Sequence, residues 1–165
     1  MIVRRVNLVL TLLALLFPAV ASRCAETPPE IFLGKPFSIH LSFDTDLAMV
    51  DENGVCSFKP ANQGKPLRFK FVPGVANTNF VSLESMERPG CYLRHFFTRL
   101  KVDLVPEKAI FAPDATFEVR PSPTGNGLRL RSFNYRDCYI GATHARKAFI
   151  IPDPAPESVA LDIVY

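Results

Sequence analysis

Val81-Ser82-Leu83-Glu84-Ser85, followed by Pro89-Gly90-Cys91-Tyr92-Leu93, returns as Leu128-Arg129-Leu130-Arg131-Ser132, followed by Arg136-Asp137-Cys138-Tyr139-Ile140. Val81 and Leu128, Ser85 and Ser132, Cys91 and Cys138, and Tyr92 and Tyr139 are all separated by the same 47 positions. One register held over several landmarks identifies an internal repeat. A fainter copy begins upstream at Phe37-Ser38-Ile39-His40-Leu41-Ser42-Phe43, about 42 residues before its counterpart. It runs through the turn Asp51-Glu52-Asn53-Gly54 to Leu67-Arg68-Phe69-Lys70-Phe71. Three units of roughly 40 to 47 residues fill the chain, and a unit of that size must pack on its neighbours to bury its apolar face.

Outward from the repeat, short runs alternate apolar and polar residues with period two. They are Phe37 to Phe43, Leu67 to Val72, Phe80 to Ser85, Arg99 to Val105, Thr116 to Val119 and Leu128 to Ser132. This is the pattern of half-buried strands. Fifteen prolines leave little room for helices longer than two or three turns. The class is therefore all-β. Three four-stranded units closing about a pseudo-threefold axis give a β-trefoil over residues 37–165, with a sandwich or propeller fragment as the runner-up.

Residues 1–21 read as a secretory signal peptide, with Arg4 and Arg5, an apolar stretch from Val6 to Phe17, and Ala19-Val20-Ala21 before Ser22. The apolar stretch is too short for a good membrane span. Export to the extracellular space is expected, with residues 22–36 an N-terminal segment ahead of the domain. The formal charge of +3 falls to +1 once the two leader arginines are removed. A nearly neutral chain argues against nucleic acid as partner. Four cysteines in an exported chain favour two disulfides, in any of three pairings. Arg94, Arg99 and Lys101 alternate with apolar neighbours and read as a solvated strand face; His40 reads as a strand residue.

The segment from Phe80 to Val119 carries VSLES, then PGCYLRH over Pro89 to His95, then FAPDATFEV over Phe111 to Val119. On these motifs it resembles one repeat of the arabinose-binding (AbfB) domain of α-L-arabinofuranosidases. Leu128 to Tyr165 is a weaker copy. The resemblance implies a β-trefoil and a non-catalytic module, needing no cofactor, that binds arabinofuranose on hemicellulose. The family's binding positions fall on His95 and Asp114, with Tyr92 in the same signature. A carboxylate can accept from two neighbouring hydroxyls, and such charge-assisted bonds are the stronger kind.

The sister repeats depart from the signature. Ile140-Gly141-Ala142 replaces Leu93-Arg94-His95, although His144 lies two residues on, and the matching acid is Glu157. In the first copy Pro66 or Arg68 falls where the acid belongs. No Gly-x-Ser-x-Gly, His-Glu-x-x-His or phosphate-binding loop occurs, and no acid sits in a catalytic signature, so an enzyme is not expected. A monomer is expected. The alternative is a secreted trefoil inhibitor or effector that grips another protein, because fold alone does not fix function.

Overall fold

The computed structural model describes residues 33–104, 111–122, 127–153 and, by backbone alone, 161–164. The leader, Cys24 and Glu157 lie outside the described residues.

Twelve strands follow one another, with short 3₁₀ turns as the only helical pieces among the described residues. They are β1 (Pro36–Leu41), β2 (Asp44–Glu52), β3 (Val55–Pro60), β4 (Arg68–Pro73), β5 (Val81–Ser85), β6 (Cys91–Phe96), β7 (Arg99–Leu104), β8 (Phe117–Pro121), β9 (Leu128–Ser132), β10 (Cys138–Ala142), β11 (Ala148–Pro152) and β12 (Leu161–Val164). All six alternating runs form strands. β2 and β3 meet at Asn53-Gly54, both with positive φ (57° and 85°), and the Gly54 N–H donates to Asp51 Oδ1 at 2.7 Å. A two-residue turn with two left-handed positions matches the twist of the strands it joins, and Asn-Gly is its preferred pair.

Each unit contributes its first and last strand to one closed set of antiparallel pairings: β1 with β4, β4 with β5, β5 with β8, β8 with β9, β9 with β12, and β12 back to β1. The middle strands form three hairpins, β2–β3, β6–β7 and β10–β11. These hairpins also touch one another, through Phe149 opposite Arg99 and an isolated bridge between Ser57 and Lys147.

Register makes the repeat exact. Phe71 faces Leu83, Val119 faces Leu130 and Ile163 faces Ile39, so Ile39, Leu83 and Leu130 occupy one position in the three units. The first unit is thus offset by 44 residues rather than about 42, and the second by the 47 read from sequence. Ile39, Leu83, Leu130, Leu93, Ile140, Met49, Phe69 and Phe117 are all fully buried in one core. Burial of each such side chain contributes roughly 1.5–3 kcal/mol.

The cysteines differ from expectation. Two bridges among four cysteines require at least one within Cys56, Cys91 and Cys138, and all three are free. Cys91 and Cys138 open equivalent strands, β6 and β10, in different units. Cys56 is buried, and that burial pushes its thiol up to about 12.

Candidate functional site

Asp114 is placed by the three residues that follow it. Pro113–Ala115 form a single 3₁₀ turn with proline at its start, where the missing N–H costs nothing. Ala115 is buried and its carbonyl accepts from the Ser82 hydroxyl at 2.7 Å. The Thr116 hydroxyl donates back to the Ala112 carbonyl at 2.9 Å, and Phe117 anchors the segment in the core. The turn is therefore pinned from below. The Asp114 side chain, 19% exposed, stands at the rim.

His95 lies beneath it at the end of β6, with only 2% of its surface exposed. Nδ1 faces the Phe97 carbonyl at 3.2 Å and Nε2 faces Asn134 Oδ1 at 2.9 Å. Both partners are acceptors. The Asn134 orientation is set independently, because its Nδ2 donates to Asp114 Oδ1 at 2.7 Å while its Oδ1 accepts from the Ser132 hydroxyl at 2.9 Å. Nε2 also lies 3.4 Å from Asp114 Oδ1, so the imidazole, the amide and the carboxylate form one polar chain.

Arg94 closes the other side. Its Nε and Nη2 donate to Asp103 Oδ2 at 3.2 and 2.8 Å, and its guanidinium lies 5.3 Å from the Phe96 ring centre and 4.7 Å from that of Phe111. Nη1 comes within 3.8 Å of Asp114 Oδ2. Burial pushes the Asp103 carboxyl up, but the hydrogen bonds from Arg94 and Lys101 outweigh it and hold the group below its ordinary range. Arg94 is consequently not part of a solvated face. Its side chain is 6% exposed, covered by the 111–115 segment, while Arg99 on β7 is exposed as expected.

Two aromatic residues flank His95. Tyr135 meets the His95 ring edge-on at 5.2 Å between centres and is half exposed. Phe97 is 80% exposed and adopts φ 57°, a left-handed conformation that costs a bulky residue on the order of 1–3 kcal/mol. The His95 bond to its carbonyl and the ring contact with Phe96 hold it there.

Of the residues singled out from sequence, His95 and Asp114 are brought together. Tyr92 sits opposite Asp103 on β7 and shares a strand face with Arg94 and Phe96 rather than with His95. Its counterpart Tyr139 lies under the Arg129 guanidinium at 3.8 Å. Asn134, Tyr135 and Ser132 escaped the sequence reading because they come from the next unit. The 47-residue offset sets Asn134 against Glu87 and Tyr135 against Arg88, but all five turn residues between the matched Ser and Cys positions differ, so nothing in the repeat singled these two out. Among the described residues no group of three His, Cys, Asp or Glu side chains could hold a metal.

Residues 40–152 match the alpha-L-arabinofuranosidase B (ABFB) domain family. The chain is 29% identical over 96 residues to a probable alpha-L-arabinofuranosidase B of Aspergillus niger, covering 58% of this chain and 18% of that protein. It is 37% identical over 62 residues to the corresponding protein of Aspergillus fumigatus, covering 38% and 12%. It thus spans about a fifth or less of the curated relatives it matches. In fold it is similar to an arabinofuranosidase crystallised with arabinofuranosyl-alpha-1,2-xylobiose, with TM-score 0.69, 20% identity, and coverage of 80% of this chain and 31% of that one. A gallus interleukin-1 beta mutant is also similar, at TM-score 0.60 and 14% identity, with 79% and 95% covered. Taken with the DATF turn and the YLRH strand end that build the Asp114 rim, the match over 113 residues places this chain in the alpha-L-arabinofuranosidase B (ABFB) domain family.

Proposed function

We propose that this chain is a secreted, non-catalytic β-trefoil that binds terminal arabinofuranose on hemicellulose through the Asp114 rim. The observation that carries the reading is the state of the carboxylate. Asp114 Oδ1 is fixed by Asn134, whereas Oδ2 lies 3.8 Å from Arg94 Nη1, beyond hydrogen-bond distance. One oxygen is held and the other is left to accept from sugar hydroxyls. His95 supports the arrangement from beneath, and the half-exposed Tyr135 ring offers a flat apolar wall. The closed six-strand set with three hairpins supports the trefoil, and the leader supports export; intact mass of the secreted protein should lack Met1 to Ala21.

One shallow pocket with a few hydrogen bonds gives a dissociation constant near the millimolar range, about −4 kcal/mol. Asp114→Ala should lose about 1.5–3 kcal/mol of that, the worth of a charged acceptor. Affinity electrophoresis in arabinoxylan and in debranched xylan tests it: retardation by the first polymer alone, lost in Asp114→Ala, is expected. Release of arabinose from arabinoxylan by the purified protein would overturn the non-catalytic reading. The exposed Phe96 and Phe97 favour the second reading, a protein partner gripped beside the same rim. Equal retardation by both polymers, unchanged in Asp114→Ala, would shift the assignment to it.

A further inference from the structure

Where the three hairpins converge, β3, β7 and the start of β11 enclose a cavity of about 170 Å³ lined by Val55, Cys56, Arg99, Lys147, Ala148 and Phe149. None of these residues belongs to the His95–Asp114 cluster. The walls are held by two links between units, Phe149 opposite Arg99 and Ser57 bridged to Lys147.

The charges around this cavity do not balance. Glu52 receives both Lys147 and Lys59, and the two ammonium groups hold its carboxyl down at about 2. Arg99 has no carboxylate partner among the described residues; its guanidinium lies 5.9 Å from the Phe149 ring centre. Two lysines share one acid and an arginine has none, so the cavity mouth carries surplus positive charge, which concentrates anions. The Cys56 thiol, raised to about 12, stays neutral and adds no opposing charge. The rest of the lining is apolar: Val55, Ala148 and the Phe149 ring. A bare inorganic anion would leave that wall wet. At about 170 Å³ the cavity is far larger than a single ion or water fills, which leaves room for a ring-sized group beside the charge.

We propose that this cavity binds a single carboxylated sugar residue, a hexuronate, with Arg99 and Lys147 on the carboxylate and Val55 and Phe149 against the ring. The site is separate from the Asp114 rim and does not depend on what that rim binds. The test is titration of the isotopically labelled protein, read on its backbone amides, with galacturonate and glucuronate, their neutral twins galactose and glucose, and inorganic phosphate. The uronates should shift the amides of Val55, Arg99 and Phe149 and saturate in the millimolar range, with the neutral sugars at least tenfold weaker. Arg99→Gln and Lys147→Gln should each weaken uronate binding fivefold or more, while Asp114→Ala leaves it unchanged. Equal shifts from the neutral sugars, or unchanged binding in both variants, would overturn the site. Phosphate binding as tightly as the uronates would overturn its assignment to a sugar acid.

Discussion

Between the second and third units a histidine, a carboxylate, an asparagine and a tyrosine converge; between the first and second, the same four places hold Asp51, Pro66, Glu87 and Arg88. The equivalence follows from strand register. Asp51 faces Cys56 on its hairpin as His95 faces Leu100, and Pro66 stands three residues before Phe69 as Asp114 does before Phe117. At the first corner Arg88 reaches to Asp51 Oδ2 at 3.4 Å and to the Val102 carbonyl at 3.3 Å. The acid there is neutralised by a cation from the next unit, and proline supplies no acceptor. At the second corner the acid is oriented by an amide through Oδ1, and its Oδ2 has Arg94 Nη1 standing off at 3.8 Å, beyond hydrogen-bond distance. Even the turns share their backbone: the Ser85 hydroxyl accepts from the Arg88 N–H as the Ser132 hydroxyl accepts from the Tyr135 N–H. The frame is common to both corners, and their chemistry rests on side chains that the frame does not constrain.

The common frame predicts the largest effects. Ile39, Leu83 and Leu130 share one buried position, so alanine at any of them should cost roughly 2–5 kcal/mol, read from the urea midpoint. A loss below about 1 kcal/mol at one of the three would mean that its unit does not share the core. Asn134 and Glu87 should then separate the corners. Asn134→Ala removes the side-chain amide that meets the buried His95 Nε2 and deprives Asp114 of its donor, which should cost about 1–3 kcal/mol in stability. The matched Glu87→Ala should stay within about 0.5 kcal/mol, as for ordinary surface changes.

How much of this was legible in the sequence depended on whether the partners lie within one unit. Alternation revealed β1, β4, β5, β7, β8 and β9, because apolar and polar residues alternate along each, even in β5, β8 and β9 where successive residues are buried. β6 was not found by its pattern: Leu93, Arg94 and His95 are all buried in succession, the last two under the Phe111–Ala115 segment and the next unit's turn. The same cover explains why Arg94 read as solvated. His95 and Asp114 were visible as signature residues, yet their geometry needed Asn134, twenty residues beyond Asp114 and in another repeat. Cross-unit contacts are set by closure of the six-strand ring, which no local periodicity encodes.

Acid should weaken the junction of the first and third units, where Glu52 of β2 meets Lys147 beside β11. Its carboxyl is lowered from the usual 4.5 to about 2 by hydrogen bonds from Lys147 and then Lys59. A depressed carboxyl contributes stability that is present above the unfolded value and is lost as protons bind the folded state. Stability should therefore decline as pH falls from about 4.5 through about 2, and Glu52→Gln should flatten that part of the profile. An unchanged profile in Glu52→Gln would show that the two lysines are not held by this acid.

The smallest effect expected is the one that most directly tests the comparison. The Asp51–Arg88 pair has both side chains well exposed, at 35% and 48%, so solvent screens it. Exposed pairs contribute about 0.2–1 kcal/mol in double-mutant cycles. Asp51→Ala, Arg88→Ala and the double variant should give a coupling in that range. None of the three should alter retardation in arabinoxylan, because the corner they occupy has neither the imidazole nor the orienting amide found beside Asp114. The informative variant is Arg88→Ala alone, which leaves Asp51 with one oxygen still accepting from the Gly54 N–H and the other without its cation. That restores half of what Asp114 has, an acid with an open oxygen, but neither the orienting amide nor the imidazole beneath it. If Arg88→Ala gains affinity for arabinoxylan, an open carboxylate at a corner between two units is sufficient for sugar recognition. If it gains none while Asp114→Ala loses all, recognition requires the whole His95–Asn134–Asp114 chain, and the first corner is silent because Asp51, Glu87 and Pro66 stand in the three places.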